Sequence, residues 1–171
     1  MREFSGLGAF GEFLDTLVGV MTANVIALDK ATKLVQKTAK AKIGEYQPQA
    51  GPFAAWDPLS PATLYGFMHP AGFYIPGKVQ LGYAPPDNPL LRTGEMRATI
   101  ERKFDNREGH VGSDDQVMVW QELGTRFMPP RSVLGGAAVE TSDRVAVIIG
   151  DEIAVSLGAE SVLGSSRIAI A

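Results

Sequence analysis

Phe10-GEFLDTLVGVMTANVIALDKATKLVQKTAKAK-Ile43 is the stretch that decides the fold. It holds no proline, and Gly19 is its one glycine away from the ends. At about 100° per residue, Phe10, Phe13, Leu14, Leu17, Met21, Val25, Leu28, Val35, Ala39 and Ile43 fall on one face, which predicts an amphipathic helix. Such a helix spans roughly 50 Å at 1.5 Å per residue, longer than a compact domain of this size needs. Glu12 and Asp15 lie early and Lys37, Lys40 and Lys42 late, the order that the helix dipole favours. Gly44 is a natural stop. Lys30, Lys33, Lys37 and Lys40 line an arc opposite the apolar stripe. That arc is either a solvated face or a surface turned to an acidic partner or DNA phosphates.

The composition sets outer bounds. A chain of 171 residues suggests one domain, residues 1–158, with an arm at 159–171. A net charge of −3 is no electrostatic footprint of a dedicated nucleic-acid binder. No cysteine is present, which excludes disulfides and thiolate metal sites. The N-terminus lacks the basic start and apolar core of a signal peptide, and no apolar run approaches the roughly 20 residues of a membrane helix. The expectation is a soluble, unsecreted chain with no membrane partner.

Residues 44–89 change character. They hold nine of the eleven prolines and six glycines, among Trp56, Phe53, Tyr65, Phe67, Phe73, Tyr74 and Tyr83. Missing N–H donors forbid a central strand or a long helix there. So many aromatic residues argue against a solvated linker and for burial against a partner subunit. Within this loop, Ser60-Pro61 predicts a helix start, with Ser60 as cap and Pro61 at the first helical position.

Met96–Asp105 alternates as a strand, with Ile100, Arg102 and Phe104 on one face. Asn106–Gly109 supplies a turn and His110–Gly112 a return strand. Ser113 or Asp114 then caps a short helix ending at Leu123, whose buried side is expected to be Val119, Leu123 and Trp120. Gly124 stops it, and Met128-Pro129-Pro130 forces extended chain. Thr141–Gly158 predicts a second long helix with Thr141 or Ser142 as cap. Val145, Ile149, Ile153 and Leu157 form one apolar stripe, and Ile148 and Val155 a second nearly opposite. A helix apolar on two sides is expected between two layers, one of them supplied by a neighbouring subunit. Arg167-Ile168-Ala169-Ile170 is either a strand that adds to a neighbour's sheet or a frayed terminus. The fold class is thus α+β: a long N-terminal helix packed on a small antiparallel sheet, a second C-terminal helix and a long Pro/Gly-rich loop.

No pattern points to chemistry. His69 and His110 sit in different segments without a carboxylate at ligand spacing. There is no nucleophile elbow, and Gly135-Gly136 lacks the Lys-Ser/Thr of a phosphate loop. Asp114-Asp115 is the acidic pair a helix start attracts. The expectation is therefore no catalytic, cofactor-binding or metal-binding residue. Arg92, Arg97, Arg126 and Arg131 punctuate the central block. Arg suits interface ion pairs, because its planar fork binds carboxylates bidentately. Pairing within the chain to Glu95, Glu101 or Glu122 is the alternative.

The order of these pieces resembles a family. Leu91-Arg92-Thr93-Gly94-Glu95-Met96-Arg97-Ala98-Thr99-Ile100 is similar to the Leu-Arg-x-Thr-Gly-x-Leu-Arg-x-Ser-Ile signature of tailed-phage virion-morphogenesis proteins, the tail-completion or neck proteins. Trp56-Asp57-Pro58-Leu59-Ser60 through Thr63 resembles that family's Trp-x-x-Leu-Ser-x-x-Thr. His110-Val111-Gly112-Ser113, Glu122-Leu123-Gly124-Thr125-Arg126 and Pro129-Pro130-Arg131-Ser132-Val133-Leu134-Gly135 resemble later family segments in the same order. Phe67–Asn88 looks like an insertion, Ser132-Val133 replaces the usual Pro-Phe, and the tail after Gly158 is extra. The resemblance implies a non-enzymatic virion protein, assembled in the host cytoplasm. It would form a homo-oligomeric ring, commonly six-fold, joining tail to head around the DNA channel. The implied partners are itself, adjacent head-closure or connector proteins, tail-terminator or tail-tube proteins, and genomic DNA passing through the lumen. A tail-terminator ring protein, or a DNA-binding module using Lys30, Lys33, Lys37 and Lys40, is the alternative. Candidate interface or motif residues are Trp56, Leu91, Arg92, Thr93, Gly94, Arg97, Gly124, Thr125, Arg126, Pro130, Arg131, Ile148 and Val155.

Overall fold

A computed structural model describes residues 7–83 and 87–158, with side chains from residue 15 onward. The arm at 159–171, Pro85 and Pro86, and the side chains of Phe10, Phe13 and Leu14 lie outside the described residues. The elements run α1 (Leu7–Lys42), α2 (Pro61–Tyr65), β1 (Phe67–Met68), β2 (Tyr74–Ile75), α3 (Glu95–Ala98), β3 (Glu101–Phe104), β4 (Gly109–Gly112), α4 (Gln116–Leu123) and α5 (Leu134–Ser156). Strands β1–β2 and β3–β4 form two separate two-stranded sheets. This is the α+β class, with its long N-terminal and C-terminal helices. The described residues divide into two compact units: 7–34 with 102–110 and 141–158, and 35–83 with 87–101 and 111–140.

In the first unit, α1 buries a different face from the one its large residues mark. Ala23, Ala27 and Ala31, spaced four apart, are buried, while Leu17, Met21 and Val25 are exposed. Small side chains let helix axes approach most closely. Helix α5 runs antiparallel beside this face: a Cβ on Gly19 would sit 3.9 Å from the Ser156 carbonyl oxygen, and Lys30 bonds to Glu152. The β3–β4 hairpin also meets α1. Arg102 Nη1 reaches the Asp29 carboxylate and, at 3.2 Å, the Asp29 carbonyl. A Cβ on Gly109 would lie 2.5 Å from Thr32 Cγ2, so hairpin backbone and helix touch.

Asp105 holds the hairpin turn. Its Oδ1 accepts from the N–H groups of Arg107 (2.7 Å) and Glu108 (2.9 Å). Those two backbone bonds favour the carboxylate and hold its pKa below the ordinary 3.8. A depressed carboxyl pKa contributes turn stability that is complete above 3.8 and lost as pH falls through the lowered value. In an acid NMR titration, the Arg107 and Glu108 amides are expected to move together with a midpoint below 3.8. A midpoint at or above it contradicts this turn.

The second unit holds the apolar core. Ile100, Met118 and Val133 are fully buried, packed with Trp56, Ile43, Ala39 and Ala137. The 44–89 loop is pinched at its neck, where Gly44 N–H donates to the Pro89 carbonyl at 2.9 Å. Leu90, next in the chain, takes φ 61°, a strained value for a branched side chain. Between these points the loop is ordered. Helix α2 starts as its sequence predicts: Thr63 N–H donates to Ser60 Oγ, and Pro61 opens the helix. Strands β1 and β2 then pair antiparallel, Phe67 against Ile75 and Met68 against Tyr74. At their base Gly66 has φ 81°, and a Cβ on Gly77 would lie 2.3 Å from Gly66 N, so neither position admits a side chain.

Three local expectations are corrected here. Strand Met96–Asp105 is shorter: Glu95–Ala98 is one helical turn, α3, and β3 begins at Glu101. Gly94, left-handed at φ 87°, turns the chain, and Thr93 Oγ1 donates to the Glu95 carboxylate. Asp115, not Ser113 or Asp114, caps α4, accepting from Val117 N–H at 2.8 Å. Helix α5 begins at Leu134 rather than at Thr141. The Gly135-Gly136 pair is close packing inside its first turn. A Cβ on Gly135 would meet the Phe53 ring at 2.4 Å, and Gly136 faces the Lys42 stem.

Candidate interaction surfaces

One carboxylate organises the second unit. Glu122 of α4 accepts from four donors at the start of α5: Ser132 Oγ (2.6 Å) and the N–H groups of Val133 (2.7 Å), Leu134 (2.9 Å) and Gly135 (2.7 Å). The first N–H groups of a helix have no partner within it, and a negative charge there also meets the positive end of the dipole. Ser132 Oγ takes the Gly136 N–H at 3.1 Å. Lys42, buried at the end of α1, pairs with Glu140 one turn further along α5 (2.6 Å) and with Gln47 Oε1 (3.0 Å).

This cap fixes which side of α4 faces inward. Met118, Gln121 and Glu122, at i, i+3 and i+4, are its buried and half-buried positions. The expected buried side is therefore overturned: Val119 is exposed, as are Trp120 at 49 % and Leu123 at 75 %. Beyond the Gly124 stop, Phe127 stands 82 % exposed with the Arg126 guanidinium 4.2 Å above its ring. Gly124 is required at this corner. It has φ 73°, and a Cβ would lie 2.9 Å from Pro130 N.

A second apolar surface lies on the arm formed by α2, β1 and β2. Tyr65, Phe67, Phe73 and Tyr74 are 42–58 % exposed, and Met68 is exposed beside them. Inside the arm, Tyr74 Oη donates to the Tyr65 carbonyl, and His69 stacks on Phe73 at 4.5 Å. Lys78 donates to the Asn88 carbonyl at 2.7 Å; burial pushes its pKa down, partly offset by Asp87. In the first unit, Val18, Met21, Val25 and Ile26 of α1 line an apolar groove of about 500 Å³ beside Asn106.

Other candidate residues divide between core and surface. Trp56 is core. Leu91 is half-buried against that core. Arg131 is buried and donates from Nη2 to the Asp57 carbonyl at 3.0 Å, so it fastens the Trp56 segment from within. Arg92 lies over the Tyr83 ring at 4.9 Å. Arg97, Thr125 and Pro130 are exposed. On α5, Ile148 is half-buried and Val155 exposed. Lys30 is engaged by Glu152; Lys33 and Lys37 are exposed and Lys40 is half-buried. No family model, curated protein or solved structure matches the chain. Among the described residues no group of three His, Asp or Glu side chains could hold a metal ion. Among them no helix is long and apolar enough to cross a membrane.

The sequence offers Glu122 as a partner for an arginine, whereas in the structure it caps α5. Its partners are 10–13 residues downstream, and only its spacing of four from Met118 hinted that it faces inward.

Proposed function

We propose that the chain is a non-enzymatic structural protein of the phage neck, a homo-oligomeric ring joining tail to head around the DNA channel. The observation that supports this reading is the large apolar surface a single copy leaves exposed, on the arm and on the outer side of α4. Monomers rarely expose such aromatic-rich surface without a partner for it. The motif order from Trp56 to Gly135, which resembles that of tailed-phage virion-morphogenesis proteins, supports this class of assembly. Its partners are further copies of itself and the head-closure, connector, terminator or tube proteins stacked against it. Its place is the virion, and DNA passes through the lumen without being read. The engagement of Lys30 by Glu152 weighs against a dedicated phosphate-binding lysine face.

Native mass spectrometry of the full chain tests the reading, alone and with tails assembled without it. The expected result is one oligomer of fixed copy number. A chain that stays monomeric in both conditions overturns it.

A further inference from the structure

We infer that the arm of one copy docks on the outer face of α4 of the next copy. This rests on the ring reading and names the contact that would build the ring.

Both surfaces stay exposed in the single chain, so neither is satisfied by the other within one copy. They are different surfaces, and a contact between unlike patches is heterologous. Such a contact generates a closed ring or an open filament, whereas a self-complementary patch generates only a pair.

The charges fit. From Pro58 to Pro86 the arm carries a single Lys, Arg, Asp or Glu, namely Lys78, which is held against Asn88. From Gln116 to Pro130 the only such residues are Glu122 and Arg126. Glu122 is consumed by the α5 cap. No like charges would meet. Arg126, already over one aromatic ring, is the single cation of this stretch, and the arm presents it with the half-exposed aromatic side chains of Phe67 and Tyr74.

The two patches are also matched in area. At about 200 Å² per aromatic side chain, the four half-exposed arm aromatics present roughly 400 Å². Trp120, Leu123 and Phe127 present about as much. That is half of the ~800 Å² each partner gives to a standard interface, so Met68, Val119 and the chain around them must complete the junction. Aromatic anchors ringed by neutral contacts are what carries binding energy in such interfaces.

The test uses two variants of the full chain, Phe73→Asp on the arm and Leu123→Asp on α4. Both sites are exposed, so each variant should keep its fold; Phe67→Asp and Phe127→Asp replace them if either does not. Each variant alone should be monomeric, with self-association weakened at least about thirtyfold. Mixed together they should form a one-to-one pair and nothing larger. The intact arm of the Leu123→Asp chain then meets the intact α4 of the Phe73→Asp chain, and the other junction is dead. Failure of the mixture to pair overturns the inference, as does a Phe73→Asp chain that assembles like the wild type. If the wild type assembles and either of those results appears, only this contact is wrong. If the wild type does not assemble at all, the ring reading falls with it.

Discussion

Replacing Glu122 by alanine is expected to destabilise the second unit by about 3 kcal/mol, far more than a half-exposed surface carboxylate ordinarily contributes. The reason is the number of donors it leaves behind. Val133 is fully buried and Leu134 and Gly135 are half-buried. Their N–H groups, with Ser132 Oγ, all point at this one carboxylate. A buried donor stripped of its partner costs about 1–3 kcal/mol, and water can reach only the half-buried ones. For a chain of this length the melting temperature should fall by roughly 10 °C. Glu122→Gln keeps one acceptor oxygen but turns an NH₂ group toward the same donors, so it should recover only part of the loss. Hydrogen exchange gives the site-specific readout, because the amides of Val133, Leu134 and Gly135 should lose protection together. A change within 0.5 kcal/mol, the usual range for surface substitutions, would show that the cap does not hold α5. The same variant releases the constraint on α4, so it should also weaken self-association without touching an exposed apolar residue.

That single carboxylate also explains what the sequence could and could not convey. Several signals carried by neighbours along the chain are legible, although the Asp115 cap of α4 and the turn of α3 are not. Ser60-Pro61 starts α2, Gly124 ends α4, and the turn at 106–109 joins β3 to β4, because each signal lies within a few residues of the chain it turns. Signals carried by distant partners are not. The start of α5 at Leu134 depends on Glu122 from another helix, and without it the nearest capping residues are Thr141 and Ser142. Val119, Trp120 and Leu123 outweigh Met118 in any hydrophobic pattern, yet the cap turns them outward. On the first half of α1 the large residues Leu17, Met21 and Val25 likewise stand exposed, because close approach to α5 selects Ala23, Ala27 and Ala31, whereas Val35, Ala39 and Ile43 of the same stripe join the core. On α4 and on the first half of α1, apolar side chains stand exposed where the pattern expects a core. The sequence conveyed how much apolar surface there is; it could not say how much of that surface the chain covers by itself. Of the candidate residues, Trp56 and Arg131 proved to be internal fastenings, while Arg126 lies on an exposed surface that could meet a partner.

Trp56→Ala should be at least as damaging, costing about 3–5 kcal/mol, the range for truncating a buried aromatic side chain. Trp56 is 5 % exposed and packs in one cluster with Ile43 at the end of α1, Ile100 beside β3, Met118 of α4 and Val133 before α5. Its backbone N–H is bound to the Gln47 carbonyl at 2.9 Å, and Arg131 holds the next residue, so the segment cannot collapse inward to fill the space. A cavity that cannot relax is the costly kind. Since folded domains are stable by about 5–15 kcal/mol, the variant should sit near the edge of folding. Trp56→Phe keeps most of the volume and should cost less than half as much. Fluorescence separates the two effects, because the chain has only one other tryptophan, Trp120. In Trp56→Phe the remaining emission comes from half-exposed Trp120 and should be readily quenched by iodide in the monomer. If the arm of a neighbouring copy covers α4, that quenching should fall as the chain assembles. A Trp56→Ala chain that melts within a degree or two of wild type would mean that this residue is not the centre of the core described above.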